Sequence, residues 1–256
     1  MDAERVSPAA GELRGPAFYA LRPGGWRDLV TILHPPYTAW HLSYVALGAA
    51  AAPQIHLDRL GAALGAFALA VGISAHALDE LNGRPLRTRL SDRALLALAA
   101  AGLVGAVAIG VAGVIVVSAS LVPLVVAGAL LVPAYNLELA AGRFHSDAWF
   151  AAAWGGFPAL VGWWSNALAV HGARQAVAGV AVVVACFLVS VAQRRLSTPA
   201  RQLRRRTTAL SGEQRLADGT RVELDAPTVA APLEGALRAL SLAMPALAIA
   251  LVVVRA

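Results

Sequence analysis

The amino-acid sequence predicts an all-α protein, built as a polytopic transmembrane helix bundle of about seven spans. Of the 256 residues, 58% are hydrophobic and only 14% are charged, a balance that is rare in a soluble domain of this size. The apolar residues also gather in runs of roughly 20, the length that a helix needs to cross a hydrocarbon core of about 30 Å. We therefore expect an integral membrane protein.

The apolar runs give the predicted spans, which are 38–54, 60–80, 94–114, 118–135, 148–169, 174–192 and 233–254. In the second span, Gly61 and Gly65 have the GxxxG spacing that lets another helix approach closely. The chain is divided into a cytoplasmic N-terminal segment (1–30), a core of six helices (31–192), a basic cytoplasmic loop (193–231) and a C-terminal transmembrane helix (232–256).

The arginines set the orientation in the membrane. All 21 basic residues are arginines, and most lie before the first span, after the second span and after the sixth. The positive-inside rule places these segments and the N-terminus in the cytoplasm, and the C-terminus outside. We expect a bacterial-type cytoplasmic membrane.

The loop 193–231 contains two recognisable features. Asp218-Gly219 divides an alternating stretch and predicts a hairpin turn. The basic residues at 193–206 are expected to contact anionic lipid headgroups, and nucleic acid is not an expected partner.

Polar residues gather at the end of the second span. His76, Asp79, Glu80 and Gly83 follow the i, i+3, i+4, i+7 spacing, which puts them on one face of a helix. Carboxylates are suitable ligands for a divalent cation, and an arginine such as Arg84 can bind phosphate. The spacing is equally consistent with a helix end whose charges are solvated.

A second polar face lies on the first span, where Tyr37, His41 and Tyr44 are candidates to line a cavity. His34 and His145 are interpreted as interfacial residues.

The order of these pieces resembles the UbiA-type superfamily of intramembrane prenyltransferases. In that family the second helix ends in a motif of the form NDxxDxxxD, with Arg-Pro-Leu after it, and "AHALDELNGRPL" at 75–86 is similar to this arrangement. "LHPPYTAWHLSYVALGAA" is similar to the start of the family's first helix. "AYNLELAAGRFHSDAWFAAAWGGFPALVGWW" resembles its tyrosine-containing loop and the helix that follows. Together these stretches cover roughly residues 31–192.

The resemblance implies a bundle around a central cavity that binds a prenyl diphosphate through Mg²⁺. It implies Asp79 and Glu80 as catalytic residues, and the same two with His76 as metal ligands. The family's second aspartate-rich motif has no counterpart after the sixth span, where Arg194 and Arg195 could supply counter-charges instead. The implied substrate-binding residues are His41, Tyr44, His76, Arg84, Tyr135, Asn136, Arg194 and Arg195.

We therefore predict a divergent UbiA-like enzyme that acts on an isoprenoid diphosphate at the cytoplasmic face. It would transfer the prenyl group to a hydrophobic acceptor, or ionise and cyclise it. The alternative is a non-catalytic relative that binds a prenyl lipid or a partner subunit, because the second acidic motif is missing. A site for zinc or iron ranks lower, since the histidines are scattered over several segments.

Overall fold

The computed structural model describes residues 15–256, and helices dominate this part of the chain. The helices are α1 Trp26–Ile32, α2 Pro35–Ala51, α3 Leu57–Leu81, α4 Asp92–Val116, α5 Ala119–Asn136, α6 at 147–167, α7 Ala173–Arg205 and α8 Ala226–Arg255. The strands are β1 Gly212–Arg215 and β2 Arg221–Leu224. Two helices contain π-helical stretches, Ala68–Ala75 in α3 and Ala152–Gly156 in α6.

The prediction of an all-α membrane protein is confirmed at the level of helix length and composition. Five helices, α3, α4, α5, α7 and α8, are long and apolar enough to cross a membrane. Helices α2 and α6 occupy the predicted first and fifth spans, but α2 has only 17 residues and α6 does not combine the required length and apolarity. The structure thus supports five spans by this measure, and the count of seven stays a prediction.

Helices α2 to α8 run alternately between two ends of the bundle. At one end, Arg255 in the last turn of α8 donates to the carbonyl oxygen of Ala52 at 2.6 Å. The backbone N–H of His56 donates to Oδ1 of Asn166 at the same end, at 2.7 Å. The opposite end carries the arginine-rich segments and the hairpin, and we call it the basic end.

The closest helix contact in the bundle is between α2 and α6. A Cβ built on Gly48 would lie 2.0 Å from the carbonyl oxygen of Ala159, and one on Gly162 would lie 1.9 Å from that of Val45. The GxxxG pair of α3 makes no comparable contact, because nothing lies within 4 Å of a Cβ built on Gly61. The close approach predicted for α3 is therefore made by a different pair of helices.

Helix α7 is longer than predicted. Its 33 residues span about 50 Å at 1.5 Å per residue, well beyond a hydrocarbon core of about 30 Å. The first part of the predicted loop 193–231 is therefore helical as far as Arg205. Arg201 and Arg205 of this part therefore lie on a helix and not in a loop.

The remainder of the predicted loop forms an antiparallel hairpin. Gly212 pairs with Leu224, and Arg215 pairs with Arg221. The turn contains Gly219 with φ of 88°, a left-handed conformation that glycine adopts at little cost. The Asp-Gly dipeptide thus marks the turn that the sequence indicates.

The chain before α1 packs across the basic end. Of the predicted N-terminal segment 1–30, residues 1–14 lie outside the described residues. Nε of Arg205 donates to the carbonyl oxygen of Pro16 at 3.0 Å, and the guanidinium of Arg238 lies 5.1 Å from the ring centroid of Phe18. This short segment is therefore tied to both α7 and α8.

Candidate functional site

A polar cavity of about 380 Å³ opens at the basic end, lined by residues of α2, α3, α5, α6 and α7 and of the segments beside them. This volume is within the range of small-molecule sites, roughly 300–1,000 Å³. The cavity brings together many of the polar side chains that the sequence distributes over distant segments. We call it the polar cavity.

One wall of the polar cavity is the last part of α7. Gln193, Ser197, Arg201 and Arg205 line it, and their four-residue spacing keeps them on one face of the helix. Because α7 continues to Arg205 as a helix, the backbone holds all four residues in a row along the cavity.

The arginines of this wall differ in their partners. Arg194 pairs with the carboxylate of Asp147 at 2.7 Å and lies 5.2 Å from the ring centroid of Phe150. Arg201 contacts the hydroxyl of Thr198 at 3.4 Å and has no carboxylate partner within residues 15–256. Its positive charge is therefore available to a ligand.

Asp79 faces this wall from α3. It lines the polar cavity and makes no hydrogen bond or ion pair with any residue in the part of the chain that the structure describes. Arg201 and Arg205 are the cations that act on it most strongly. The cavity thus has an excess of positive charge, with one acid opposite the arginines.

Three histidines line the polar cavity with their rings held in the same way. Each donates from Nδ1, because the partner atom is a backbone carbonyl oxygen, which can only accept. In the neutral form of each ring, Nε2 therefore carries a lone pair. The histidine and carbonyl pairs are His41 with Trp154 at 2.7 Å, His76 with Gly72 at 3.3 Å and His145 with Tyr135 at 3.2 Å.

A fourth histidine, His34, is buried at the entrance to α2. Its ring stacks on that of His76 with centroids 4.0 Å apart, and Nδ1 shares a hydrogen bond of 2.9 Å with the hydroxyl of Tyr19. Burial, assisted by His76 and by nearby arginines, lowers the pKa of His34 well below its usual range. The ring is therefore neutral at physiological pH.

Glu80 does not line the polar cavity, although the sequence groups it with Asp79. Its fully buried carboxylate accepts from the backbone N–H of Leu86 at 2.8 Å, and from the N–H and hydroxyl of Thr88 at 2.8 and 2.9 Å. These bonds fix the segment between α3 and α4. The carboxylate oxygens are occupied by this structural role.

Three further predicted substrate-binding residues also lie elsewhere. Arg84 pairs with Asp92 at the start of α4. The hydroxyl of Tyr44 is buried and accepts from Ser190 at 3.2 Å, and Arg195 is exposed on another face of α7. The predicted residues that do line the cavity are His41, His76, Asp79, Tyr135, Asn136 and Arg194.

Sequence reasoning missed the main cationic residues, Arg201 and Arg205, because it ended the sixth helix near residue 192. The four-residue spacing of polar side chains from Gln193 onward is the signal that could have revealed them. His34 and His145 also line the polar cavity, and their interpretation as interfacial residues stays a prediction, since the cavity opens at the basic end.

The predicted magnesium site, formed by Asp79, Glu80 and His76, is not assembled. Within residues 15–256, no group of three or more His, Cys, Asp or Glu side chains is arranged to hold a metal ion. Asp79 is the one carboxylate among the described residues that line the polar cavity, while Mg²⁺ requires near-octahedral oxygen ligands. The residues present therefore do not fit the metal that the resemblance implies.

An apolar cavity of about 150 Å³ adjoins the polar one, between α3, α4, α5 and α6. Val71 and Trp154 line both cavities, so these two residues, which we call the seam, border the polar and the apolar cavity alike. Val71 lies in the π-helical stretch of α3, and Trp154 lies in that of α6. Such stretches are frequent at functional sites.

The fold and the two cavities define a membrane helix bundle with an amphiphilic internal site. Comparison of the chain with family models, curated proteins and solved structures finds no match in any of the three. The function must therefore be inferred from the geometry of the site.

Proposed function

We propose that the protein binds an isoprenoid diphosphate and cleaves its carbon–oxygen bond, transferring or rearranging the prenyl group as a divergent UbiA-like enzyme. The observation that carries this proposal is that Val71 and Trp154 line both cavities. A ligand that fills both must have an anionic polar head and an apolar chain.

The polar cavity suits the diphosphate. Arginine presents planar donors that match phosphate oxygens and keeps its charge at all relevant pH values. Arg201 forms no ion pair with a carboxylate of the described chain, and Arg205 adds a second positive charge one turn further along α7. Bond cleavage leaves negative charge on the departing diphosphate, and these fixed cations would stabilise it. The proposal contains no metal-dependent step.

The apolar cavity suits the beginning of the prenyl chain. An apolar cavity of roughly 150 Å³ accepts a molecule the size of benzene, which corresponds to about one isoprene unit. A longer chain would continue between helices towards lipid. The reacting carbon would then lie at the seam.

We also propose that α2 and α6 cross the membrane, giving seven spans with the basic end in the cytoplasm. Alternation of α2 to α8 between the two ends supports this count. The arginine distribution supports the orientation, and it places the polar cavity where a soluble diphosphate product can leave.

Binding of farnesyl diphosphate to purified protein in lipid nanodiscs tests the proposal. Arg201→Met should weaken binding about 10- to 100-fold, because a charge-assisted hydrogen bond contributes about 1.5–3 kcal/mol. Arg195→Met is the matched control on the same helix, and it should leave the affinity unchanged. Equal effects of the two substitutions would contradict the assignment of Arg201 to the diphosphate site.

A second candidate function is binding of the isoprenoid diphosphate without turnover. Glu80 makes structural hydrogen bonds outside the cavity, so Asp79 is the one carboxylate that the described site retains. This loss of an acidic group favours binding without turnover. Pyrophosphate release separates the two functions. Tight binding of farnesyl, geranyl and geranylgeranyl diphosphate without any pyrophosphate release would favour the non-catalytic protein.

A further inference from the structure

We infer that His41 is the base of the proposed reaction, and that the acceptor of the prenyl group is a molecule with a hydroxyl group. This inference rests on the proposed function, because it requires a prenyl diphosphate in the two cavities. It assigns a catalytic residue and the chemical class of the second substrate.

The position of His41 is the first argument. Its Nδ1 donates to the carbonyl oxygen of Trp154 at 2.7 Å, and Trp154 lines both cavities. His41 itself lines the polar cavity and is only 5% exposed. Its ring is therefore fixed beside the seam, where the reacting carbon of the prenyl diphosphate would lie.

The ring of His41 has one nitrogen without a partner among the described residues. Because Nδ1 carries the proton, Nε2 has a lone pair, and it makes no hydrogen bond with any residue of 15–256. The rings of Tyr44 and Phe150 lie beside the imidazole, each with its centroid 6.0 Å away, which limits its rotation. A buried, oriented and unpartnered acceptor of this kind is suited to receive a proton from a ligand.

Other groups of the polar cavity are less well placed for this task. Asp79 has no hydrogen bond within the described residues to fix its carboxylate, and it lies opposite Arg201 and Arg205. His76 bonds to Gly72 of its own helix at 3.3 Å and stacks on His34. Among the described histidines of the cavity, His41 alone has its ring hydrogen-bonded to a residue shared by both cavities.

Transfer of the prenyl group breaks one bond to C1 and forms another. The bond between C1 and the bridging oxygen of the prenyl diphosphate breaks, and its electron pair leaves with the diphosphate. The hydroxyl oxygen of the acceptor forms the new bond to C1, and its proton moves to Nε2 of His41. The resulting imidazolium returns the proton to the diphosphate or to water in the polar cavity.

His41→Asn tests the assignment, because the asparagine amide can still donate to the carbonyl of Trp154 but cannot act as a base. His171→Asn, at the opposite end of the bundle, is the control. Three quantities are measured with farnesyl diphosphate: binding, exchange of ¹⁸O between bridging and non-bridging positions, and coupling to phenol or to its methyl ether. Oxygen exchange reports cleavage of the carbon–oxygen bond without capture by an acceptor.

Wild-type protein should couple the farnesyl group to phenol and not to the ether. His41→Asn should reduce coupling about 10²- to 10⁴-fold, the usual contribution of a general base, with binding and oxygen exchange changed less than about twofold. The coupling rate of the wild-type protein should fall at acidic pH, as His41 is protonated, and this fall should be absent from His41→Asn. In His41→Gly, which has space at the seam, added imidazole should restore coupling.

The outcomes separate this inference from the proposed function. Wild-type protein without binding or oxygen exchange would contradict the proposed function itself. Oxygen exchange without coupling to phenol, equal coupling to phenol and its ether, or unchanged coupling in His41→Asn would overturn the role of His41 while the proposed function stands. Loss of binding in His41→Asn together with failure of imidazole rescue would assign the residue a structural role instead.

Discussion

Asp79 and Glu80 show how two adjacent acids acquire opposite roles. Consecutive residues of a helix point in directions about 100° apart, so only one of the two can face the polar cavity. Asp79 lines the cavity, whereas Glu80 is buried under the segment that follows α3. The two carboxylates are adjacent in the sequence, but the helix directs them into different surroundings.

The first prediction compares the two acids. Glu80→Gln should lower the free energy of unfolding by about 3 kcal/mol, because an amide N–H would face buried N–H donors. Asp79→Asn should lower it less than Glu80→Gln does, because Asp79 has no hydrogen bond within the described residues to lose. Thermal unfolding in detergent measures both, and greater destabilisation by Asp79→Asn would contradict these roles.

The second prediction concerns His34, whose folded-state pKa is depressed by burial. In the unfolded chain the pKa is about 6.5, so below this pH the unfolded state binds more protons and stability falls as the pH falls. The groups around His34 include Tyr19 and His76, with Arg201 and Arg205 beyond. His34→Gln should flatten the change in unfolding midpoint between about pH 6.5 and pH 5; an unchanged slope would show that His34 makes no contribution.

At the scale of elements, the two π-helical stretches organise the site. A π-helical turn shifts backbone carbonyls out of the regular i→i−4 pattern, and the carbonyls of Gly72 and Trp154 each accept from a histidine side chain. Hydrophobic periodicity carries no information about such stretches, since their residues are as apolar as their neighbours. For this reason the sequence alone does not predict the seam.

Helix packing provides the third prediction. Gly162→Ala should separate α2 from α6 and lower the unfolding midpoint strongly, because its Cβ would overlap the backbone at Val45. Gly61→Ala is the matched control within a membrane helix, and it should be neutral or slightly stabilising, since alanine has the higher helix propensity. A larger decrease of the unfolding midpoint in Gly61→Ala would contradict this account, because it would indicate that the GxxxG motif of α3 makes the main helix contact.

At the scale of the whole molecule, the features with strong local signals could be predicted. The long apolar runs predict the membrane helices, and Asp218-Gly219 predicts the hairpin. The length of α7 could not be read in the same way, because its last turns lose the apolar pattern while the helix continues through Pro199. The cavity depends on side chains from five helices, and a single sequence does not show how these are brought together.

The orientation gives the fourth prediction. A reporter that is active only in the periplasm should be active when fused after Arg255, and silent when inserted in the hairpin near Gly219. The reverse pattern would place the polar cavity on the outer face, away from cytoplasmic diphosphates. It would leave the internal geometry of the site unchanged.

The central claim is that one amphiphile occupies both cavities, and a crystal structure with farnesyl thiodiphosphate tests it most directly. The account predicts phosphate oxygens within about 3 Å of the guanidinium groups of Arg201 and Arg205, with the first isoprene unit passing between Val71 and Trp154. A diphosphate bound outside the polar cavity, or a chain that does not enter the apolar cavity, would contradict it.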